Sequence, residues 1–498
     1  MNILLVYPSN PDSFWSFKHV LRFVSKKSAF PPLGLLTVAA MLPSSWSLRL
    51  IDTNVRPLED SDVLWADYVF LSAMIVHRDS AHEIALRCSA LGKTVIAGGP
   101  LFTTGHTDFP EIQCFVLGEA EEVASRLVDD IEQGRLQAYY QSPSWPDIRT
   151  SPVPRWDLVE LNDYVTMPIQ FSRGCPFDCE FCDIVIMNGR IPRTKDPAQV
   201  ILELDALYRH GWKDMVFIVD DNFIGNRKRV RELLGELIAW RSHTRSSIGF
   251  LTEASVNLAD DQETCELMGK AGFKKVFVGI ETPSTEGLVE CNKRQNTKHD
   301  LGDAIRTIQR AGMEVMGGFI IGFDSDTKDI FRRQFEFIQQ SGVVTAMVGL
   351  LIALPQTKLY HRLVSEGRIL FESSGNNTDI AVNFVTRLSP EFLRENYVEL
   401  MRRLYEPGNY YRRIHTFLKT YQPGVAFRRL SASDFSAMLK SLWVLGATQS
   451  GRGEFWSLFW TTLITSPGKF RVAMELAIIG YHFRKMASNL QTPTIMGH

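Results

Sequence analysis

Arg173-Gly174-Cys175-Pro176-Phe177-Asp178-Cys179-Glu180-Phe181-Cys182 places three cysteines within eight residues. Thiolates at spacings of four and three can wrap one side of a cubic [4Fe–4S] cluster and leave its fourth iron without a protein ligand. Gly174 and Pro176 suit the tight turns that such a wrap requires. A structural zinc site needs four ligands, and no His or further Cys lies nearby to complete one. A redox disulfide would need only two cysteines. Upstream, residues 167–172 read as a buried strand, so the cysteine loop leaves a strand's carboxyl end. In βα barrels that end carries the chemistry.

Downstream, further strands are expected at 215–219, 248–253, 275–280, 314–321 and 346–351. Their starts lie roughly 27–48 residues apart, room for one helix each. One such helix begins at Asp196 as N-cap with Pro197 in its first turn. It is expected to bury Val200, Ile201, Leu204 and Leu207 and to stop at Gly211. Six βα units predict a TIM-type βα barrel, complete or partial.

Working upstream, residues 1–140 alternate short apolar strands (3–7, 48–52, 68–72, 94–97, 114–117) with helices at 33–42, 80–91 and 121–132. Ile84, Leu86, Cys88 and Leu91 are expected on the buried side of the second helix. This alternation predicts an α/β fold with a doubly wound, Rossmann-like parallel sheet, whose ligand lies beyond the strands' carboxyl ends. The loops to watch are 9–17, 73–79, 98–103 and 118–121. Residues 137–162, rich in Pro, Ser and Asp, read as a connector, and the chain divides into 1–140, a linker at 141–162, a core at 163–389 and a helical region at 390–498. The last region is rich in Phe, Trp, Tyr and Arg, with apolar runs at 455–464 and 470–483. It reads as a helical cover on the barrel or as a greasy, membrane-facing lid.

The 498 residues are 45% hydrophobic and 22% charged, a globular composition. Lys and Arg number 54 against 56 acidic residues, a net charge of −2, which argues against nucleic acid as partner. No run of ~18 apolar residues predicts a spanning helix. The opening Met1-Asn2-Ile3-Leu4-Leu5-Val6-Tyr7 reads as a strand and not as a signal peptide. A cytoplasmic setting is expected, where clustered cysteines bind metal rather than pair. Cys88 and Cys114 stand alone, and Cys265 and Cys291 read as structural thiols.

The Cys-x3-Cys-x2-Cys loop after the first barrel strand resembles the radical S-adenosylmethionine superfamily. The resemblance implies that the methionyl group of S-adenosylmethionine chelates the open iron, and that an electron from the cluster releases a 5′-deoxyadenosyl radical. Phe181 matches the aromatic position that meets adenine. Asp220-Asp221-Asn222 ends the second strand, where family members place polar groups for the methionine amine. Glu253 and Glu281 end the third and fourth strands as ribose or amine contacts. Gly318 and Gly322 end the fifth, beside the adenine, and Leu354-Pro355 follows the sixth.

A doubly wound domain ahead of such a barrel resembles the cobalamin-binding branch. The chain lacks the Asp-x-His-x-x-Gly motif that supplies a histidine to cobalt, as do many members of that branch. By resemblance the cobalamin contacts are Ser9, Met74, His77, Arg78, Gly98, Gly99, Gly118 and Glu119. His77 is the nearest axial candidate, with a surface or capping role as its alternative. Most of the chain is similar to hopanoid C-2 methylase-like proteins, through Pro31-Pro32-Leu33-Gly34, Val219–Asn226 and Gly279–Pro283. The resemblance implies methyl transfer from methylcobalamin to an unactivated carbon of an apolar polycyclic substrate, hopanoid-like or tetrapyrrole. It also implies a flavodoxin or ferredoxin as electron donor. A cobalamin-dependent radical cyclase or oxidase is the alternative. A tRNA methylthiotransferase would need a second cysteine set, and a non-catalytic sensor would make no deoxyadenosine.

Overall fold

The computed structural model describes residues 1–376, 378–424 and 432–490. Its first sheet has six parallel strands: β1 (Asn2–Tyr7), β2 (Ser47–Asp52), β3 (Tyr68–Ser72), β4 (Thr94–Gly98), β5 (Cys114–Leu117) and β6 (Tyr139–Gln141). They lie in the order β2-β1-β3-β4-β5-β6. Ile3, Leu4, Leu5 and Val6 are fully buried, as expected of a parallel strand covered by helices on both faces. The order reverses at β1, so the loops after β1 and β3 flank the crevice where a doubly wound sheet takes its ligand.

Two local expectations for this sheet need correction. Residues 139–141 form an edge strand and not a connector. Only Tyr140 of the three is buried, its hydroxyl donating to Asp130 at 2.9 Å, so no apolar run announces it. In the helix Arg78–Ala90 the buried stripe is Ala81, Ile84, Ala85 and Cys88, while Leu86 is exposed. The helix packs through small residues, and Leu86 falls on its far side.

The second sheet holds β7 (Met167–Ile169), β10 (Val216–Ile218), β11 (Phe250–Ala254), β12 (Phe273–Glu281), β13 (Glu314–Ile321) and β14 (Ala346–Leu350), all parallel and in sequential order. A short antiparallel hairpin, β8 (Ser172–Arg173) with β9 (Arg193–Thr194), brackets the cysteine loop. The sheet stays open between β7 and β14, so the barrel is partial. Helix Pro197–Arg209 begins after Asp196 and stops before Gly211 as expected, but the Asp196 carboxylate pairs with Arg229 and caps no N–H. Glu203 joins the buried face through an ion pair with Lys195, and Ile201 is only half-buried.

An open sheet leaves an edge of unpaired backbone groups. Here the C-terminal helices meet carbonyls along the β14 edge. Tyr397, on helix Pro390–Tyr405, donates its hydroxyl to the Val348 carbonyl at 2.8 Å, and Tyr405 donates to Ala346 at 2.5 Å. Arg413, on helix Pro407–Thr420, is fully buried and reaches the Val344 carbonyl at 3.1 Å. The seam itself is filled with aromatic rings from both ends of the chain. Phe14 stacks on Phe483 of helix Phe470–Asn489 at 5.6 Å, and Phe483 stacks on Tyr405 at 5.0 Å.

Removing one edge cap strands a buried carbonyl. Tyr405→Phe is expected to destabilise the chain by about 1–3 kcal/mol, read as a lowered unfolding midpoint in denaturant. An unchanged midpoint would show that the hydroxyl does not satisfy the edge.

Candidate active site at the facing strand ends

The cysteine loop is built around one glycine. Gly174 has φ +97°, and a Cβ there would lie 2.9–3.0 Å from the carbonyl oxygens of Asn188, Gly189 and Ile191. Only a residue without a side chain fits that ring of oxygens. The Gly174 N–H donates to Asp221 Oδ2 at 2.9 Å, and the same oxygen accepts from Asn188 Nδ2 at 2.9 Å. Asp220, fully buried, accepts from the Phe171 N–H and the Ser172 hydroxyl and so anchors the strand that feeds the loop. Burial pushes the Asp220 carboxyl up to about 7. Asn222 donates to Cys175 Sγ at 3.8 Å and accepts from the Ser255 N–H, which ties the first cysteine to the ends of β10 and β11.

A second segment, 291–296, supports the loop from the other side. The Glu180 N–H donates to the Cys291 carbonyl, Asn292 donates to the Asp178 carbonyl, and Gln295 Nε2 lies 3.9 Å from Cys179 Sγ. Burial raises the pKa of all three cluster thiols, while Lys293 favours the thiolate of Cys179 and Cys182 and the Asn222 amide that of Cys175. Among the described residues no three His, Cys, Asp or Glu side chains converge on a single metal ion.

The residues expected around S-adenosylmethionine fall into two groups. Phe181 packs with Ile320, Phe323, Leu351 and Ala353, an apolar wall at the ends of β13 and β14 that suits a flat purine. Gly322, at φ +114°, lies at the turn after β13, and the Leu354 carbonyl accepts from Thr357 on the turn after β14. A Cβ on Gly318 would lie 2.8 Å from the Phe277 ring. The second group is polar. Glu281, itself in the left-handed region at φ 65°, forms a buried ion pair with Lys293. Gly279 leaves room for that pair, since a Cβ there would lie 2.5 Å from both partners. Lys293 also feels the Cys179 thiol, so a cation is held beside the cluster loop. Sequence reading missed Lys293, Gln295 and Asn188. Their partners are distant in the chain, and Gly279 two residues before Glu281 was the only local hint. Glu253 faces the inside of the barrel with no hydrogen-bond partner among the described residues. Burial and the nearby Asp221 and Asp220 push it up to about 8.

On the first sheet, Ser9 bonds to Ser80 at 3.0 Å, and Met74 is exposed beside it in the loop after β3. His77 is buried, with both nitrogens engaged. Nδ1 accepts from the Met74 N–H at 3.2 Å, and Nε2 lies 2.7 Å from Asn10 Oδ1. Burial pushes its pKa down to about 4, so the ring is neutral. It fastens the loop after β3 to the loop after β1 and leaves neither lone pair for cobalt. Arg78 pairs with Asp108 at 2.5 Å and with Glu372 at 3.5 Å. Gly98 packs under Val116, and Gly99, at φ +97°, sits against the Ala73 carbonyl. Gly118, at φ +80°, has open space where a side chain would project. Glu119 turns towards the barrel, pairing with Arg173 at 2.6 Å and Arg193 at 2.5 Å, while Glu121 pairs with Arg173 at 2.8 Å. These carboxylates therefore join the first sheet's ligand face to the hairpin that brackets the cysteines.

Gly174→Ala is expected to abolish reconstitution of the iron–sulfur absorbance while far-UV circular dichroism stays native. Normal cluster loading in that variant would refute the carbonyl-ring account.

The profile described as "Radical SAM superfamily" matches residues 169–338, "B12 binding domain" matches 21–128, and "Domain of unknown function (DUF4070)" matches 357–494. An uncharacterized methyltransferase of Synechocystis sp. is 42% identical over 97% of this chain and 91% of its own length. The hopanoid C-2 methylase of Rhodopseudomonas palustris is 34% identical over 96% of this chain and 92% of its own. Among solved structures, the cobalamin-dependent radical enzyme OxsB covers 98% of this chain and 79% of its own at TM-score 0.65 and 14% identity. The methyltransferase TsrM of Kitasatospora setae covers 96% of this chain and 99% of its own at TM-score 0.60 and 16% identity. The cofactors that go with this build are a [4Fe–4S] cluster, S-adenosylmethionine and cobalamin. The chain belongs to the B12-binding radical S-adenosylmethionine enzymes and is a cobalamin-dependent methyltransferase.

Proposed function

We propose that the enzyme methylates an unactivated carbon of an apolar polycyclic molecule, a hopanoid-like lipid or a tetrapyrrole. The observation that carries this reading is the near full-length similarity to the hopanoid C-2 methylase. The 25% identity over 412 residues to the bacteriochlorophyllide d C-12(1)-methyltransferase of Chlorobaculum tepidum keeps the tetrapyrrole class in view. When bound, the cluster and S-adenosylmethionine supply the deoxyadenosyl radical that removes the substrate hydrogen, and cobalamin supplies the methyl group.

The chain's own residues position and protect these groups. Cys175, Cys179 and Cys182 would hold the cluster, with N–H···S bonds from Asn222 and Gln295. Lys293 and Glu281 form a fixed charge pair that can orient the polar methionyl end, while Phe181 and its apolar neighbours exclude water from the adenine end. Asp221, Asn222, Glu253, Gly318, Gly322 and Leu354 complete the proposed S-adenosylmethionine contacts. Ser9, Met74, Gly98, Gly99 and Gly118 line the proposed cobalamin face. A flavodoxin or ferredoxin is the proposed electron donor.

Anaerobic turnover with hopanoid or chlorin substrates should give deoxyadenosine and a product heavier by one CH₂, both lost in Cys179→Ala. A cyclised or oxidised product without the added carbon would overturn the methyl-transfer reading.

We also propose that the C-terminal helices touch a membrane surface peripherally. No described helix is long and apolar enough to cross a membrane. Yet Phe435, Leu439, Trp443, Trp460, Leu463 and Ile464 are exposed there. Residues 390–498 carry fourteen Lys and Arg against seven Asp and Glu, in a chain whose net charge is −2. Apolar side chains with basic neighbours suit an anionic lipid surface. The protein should co-sediment with vesicles containing phosphatidylglycerol, and less so after Trp443→Ser with Ile464→Ser. Wild-type protein that stays in the supernatant would sink the idea.

A further inference from the structure

The inner face of the partial barrel is unevenly filled. Outward-pointing residues of its strands, Val216, Ile218, Thr252, Val276 and Val278, are fully buried under helices. Their inward-pointing neighbours Leu251, Glu253 and Phe277 remain half-buried at the same depth in the fold. Space is therefore left inside the sheet and not outside it.

That space is walled by aromatic rings. Trp15 is carried by the loop after β1. It lies parallel to Phe217 of β10, with ring centroids 6.3 Å apart and planes 7° apart. It also meets Phe277 of β12 at 5.2 Å, and Phe30 closes on Phe217 at 6.1 Å. Trp15 packs against the core and Phe30 against Phe217, yet both are only half-buried, so each keeps an accessible face. By strand register Leu251 stands beside Phe217, and Glu253 beside Phe277. Along β12, Phe277 lies two residues before Gly279, where the Lys293–Glu281 pair sits, and Phe217 is level with Lys275, two residues deeper still, so the rings reach inward from the proposed S-adenosylmethionine contacts Glu253 and Gly318, which border Phe277. Gly318 faces Phe277 without a side chain. Burial and the nearby Asp221 and Asp220 push Glu253 up to about 8, which favours its uncharged form at neutral pH on this border of the space.

We propose that Trp15, Phe30, Phe217 and Phe277 form the substrate slot, and that Trp15 is its specificity-determining wall for a flat, wide, apolar ring system. The inference rests on the reading that the substrate is an apolar polycycle, and it assigns the slot to named residues. Two domains build it. The first sheet's loop supplies one wall, and β10 and β12 supply the other. Stacking and offset contacts between broad apolar faces give such a slot its grip, without hydrogen bonds to fix one orientation.

The test uses the reconstituted holoenzyme with chlorin e6 as a fluorescent probe, read by anisotropy, and a pentacyclic hopene as competitor. Trp15→Ala is expected to weaken chlorin binding about tenfold, while Trp15→Phe stays within about threefold of wild type. Leu251→Trp, which fills the slot from the opposite side, should abolish binding of both probes. Cluster absorbance and S-adenosylmethionine binding should be unchanged in every variant. If Trp15→Ala loses the cluster, Leu251→Trp decides the matter. Wild-type affinity in both Trp15→Ala and Leu251→Trp would overturn the slot and leave the polycyclic reading standing. Failure of the wild type to bind either probe, with S-adenosylmethionine binding intact, would overturn that reading and the slot with it.

Discussion

Two acids just beyond the first sheet and two arginines on the hairpin that brackets the cysteine loop hold this enzyme's working parts together. Glu119 and Glu121 leave the end of β5, and Arg173 and Arg193 flank the cysteine loop, all four largely buried. Buried charges are costly unless each is met by an opposite charge, and losing one member of such a pair typically costs about 3–5 kcal/mol. The network is therefore a strict condition on how the two strand-end faces meet. Arg193 extends it by donating to the Asn188 carbonyl, and Asn188 in turn donates to Asp221. From Glu119 to the Gly174 N–H the chain of contacts is continuous, so the geometry of the methyl carrier's face and that of the cysteine loop are set together.

Much of this was legible in the sequence where the signal is local. Three cysteines within eight residues, with a glycine before them and a strand before that, describe a cluster loop from adjacent residues alone. The parallel strands announced themselves because strands covered on both faces carry unbroken apolar runs. The exceptions are equally local in cause. Residues 139–141 bury one side chain and give no run, and Leu86 misleads because its helix packs through alanines. Polar partnerships were harder to foresee. Lys293 meets Glu281 across twelve residues, and Glu119 meets Arg193 across seventy-four, where spacing rules do not reach. His77 could be singled out as a loop histidine, but only the fold shows that Met74 and Asn10 occupy both of its nitrogens.

The closure of the barrel was the least legible part. A six-stranded parallel sheet can be read from its strands, but what covers its seam depends on contacts between residues near 14 and residues near 483. The aromatic richness of the C-terminal region was visible as composition. Its two duties, capping the carbonyls of β14 and packing the seam, follow only from the placement of Tyr397, Tyr405 and Phe483.

The open seam has an evolutionary consequence. In a closed barrel, strand number and stagger fix the bore, and changing it means rebuilding the sheet. Here one side of the bore is made of side chains carried on a loop and a terminal helix. Substitutions at those positions can widen or narrow the interior without disturbing a single backbone hydrogen bond of the sheet or any contact of the cysteine loop. One chemistry can thus be refitted to molecules of different girth by changing a handful of aromatic residues.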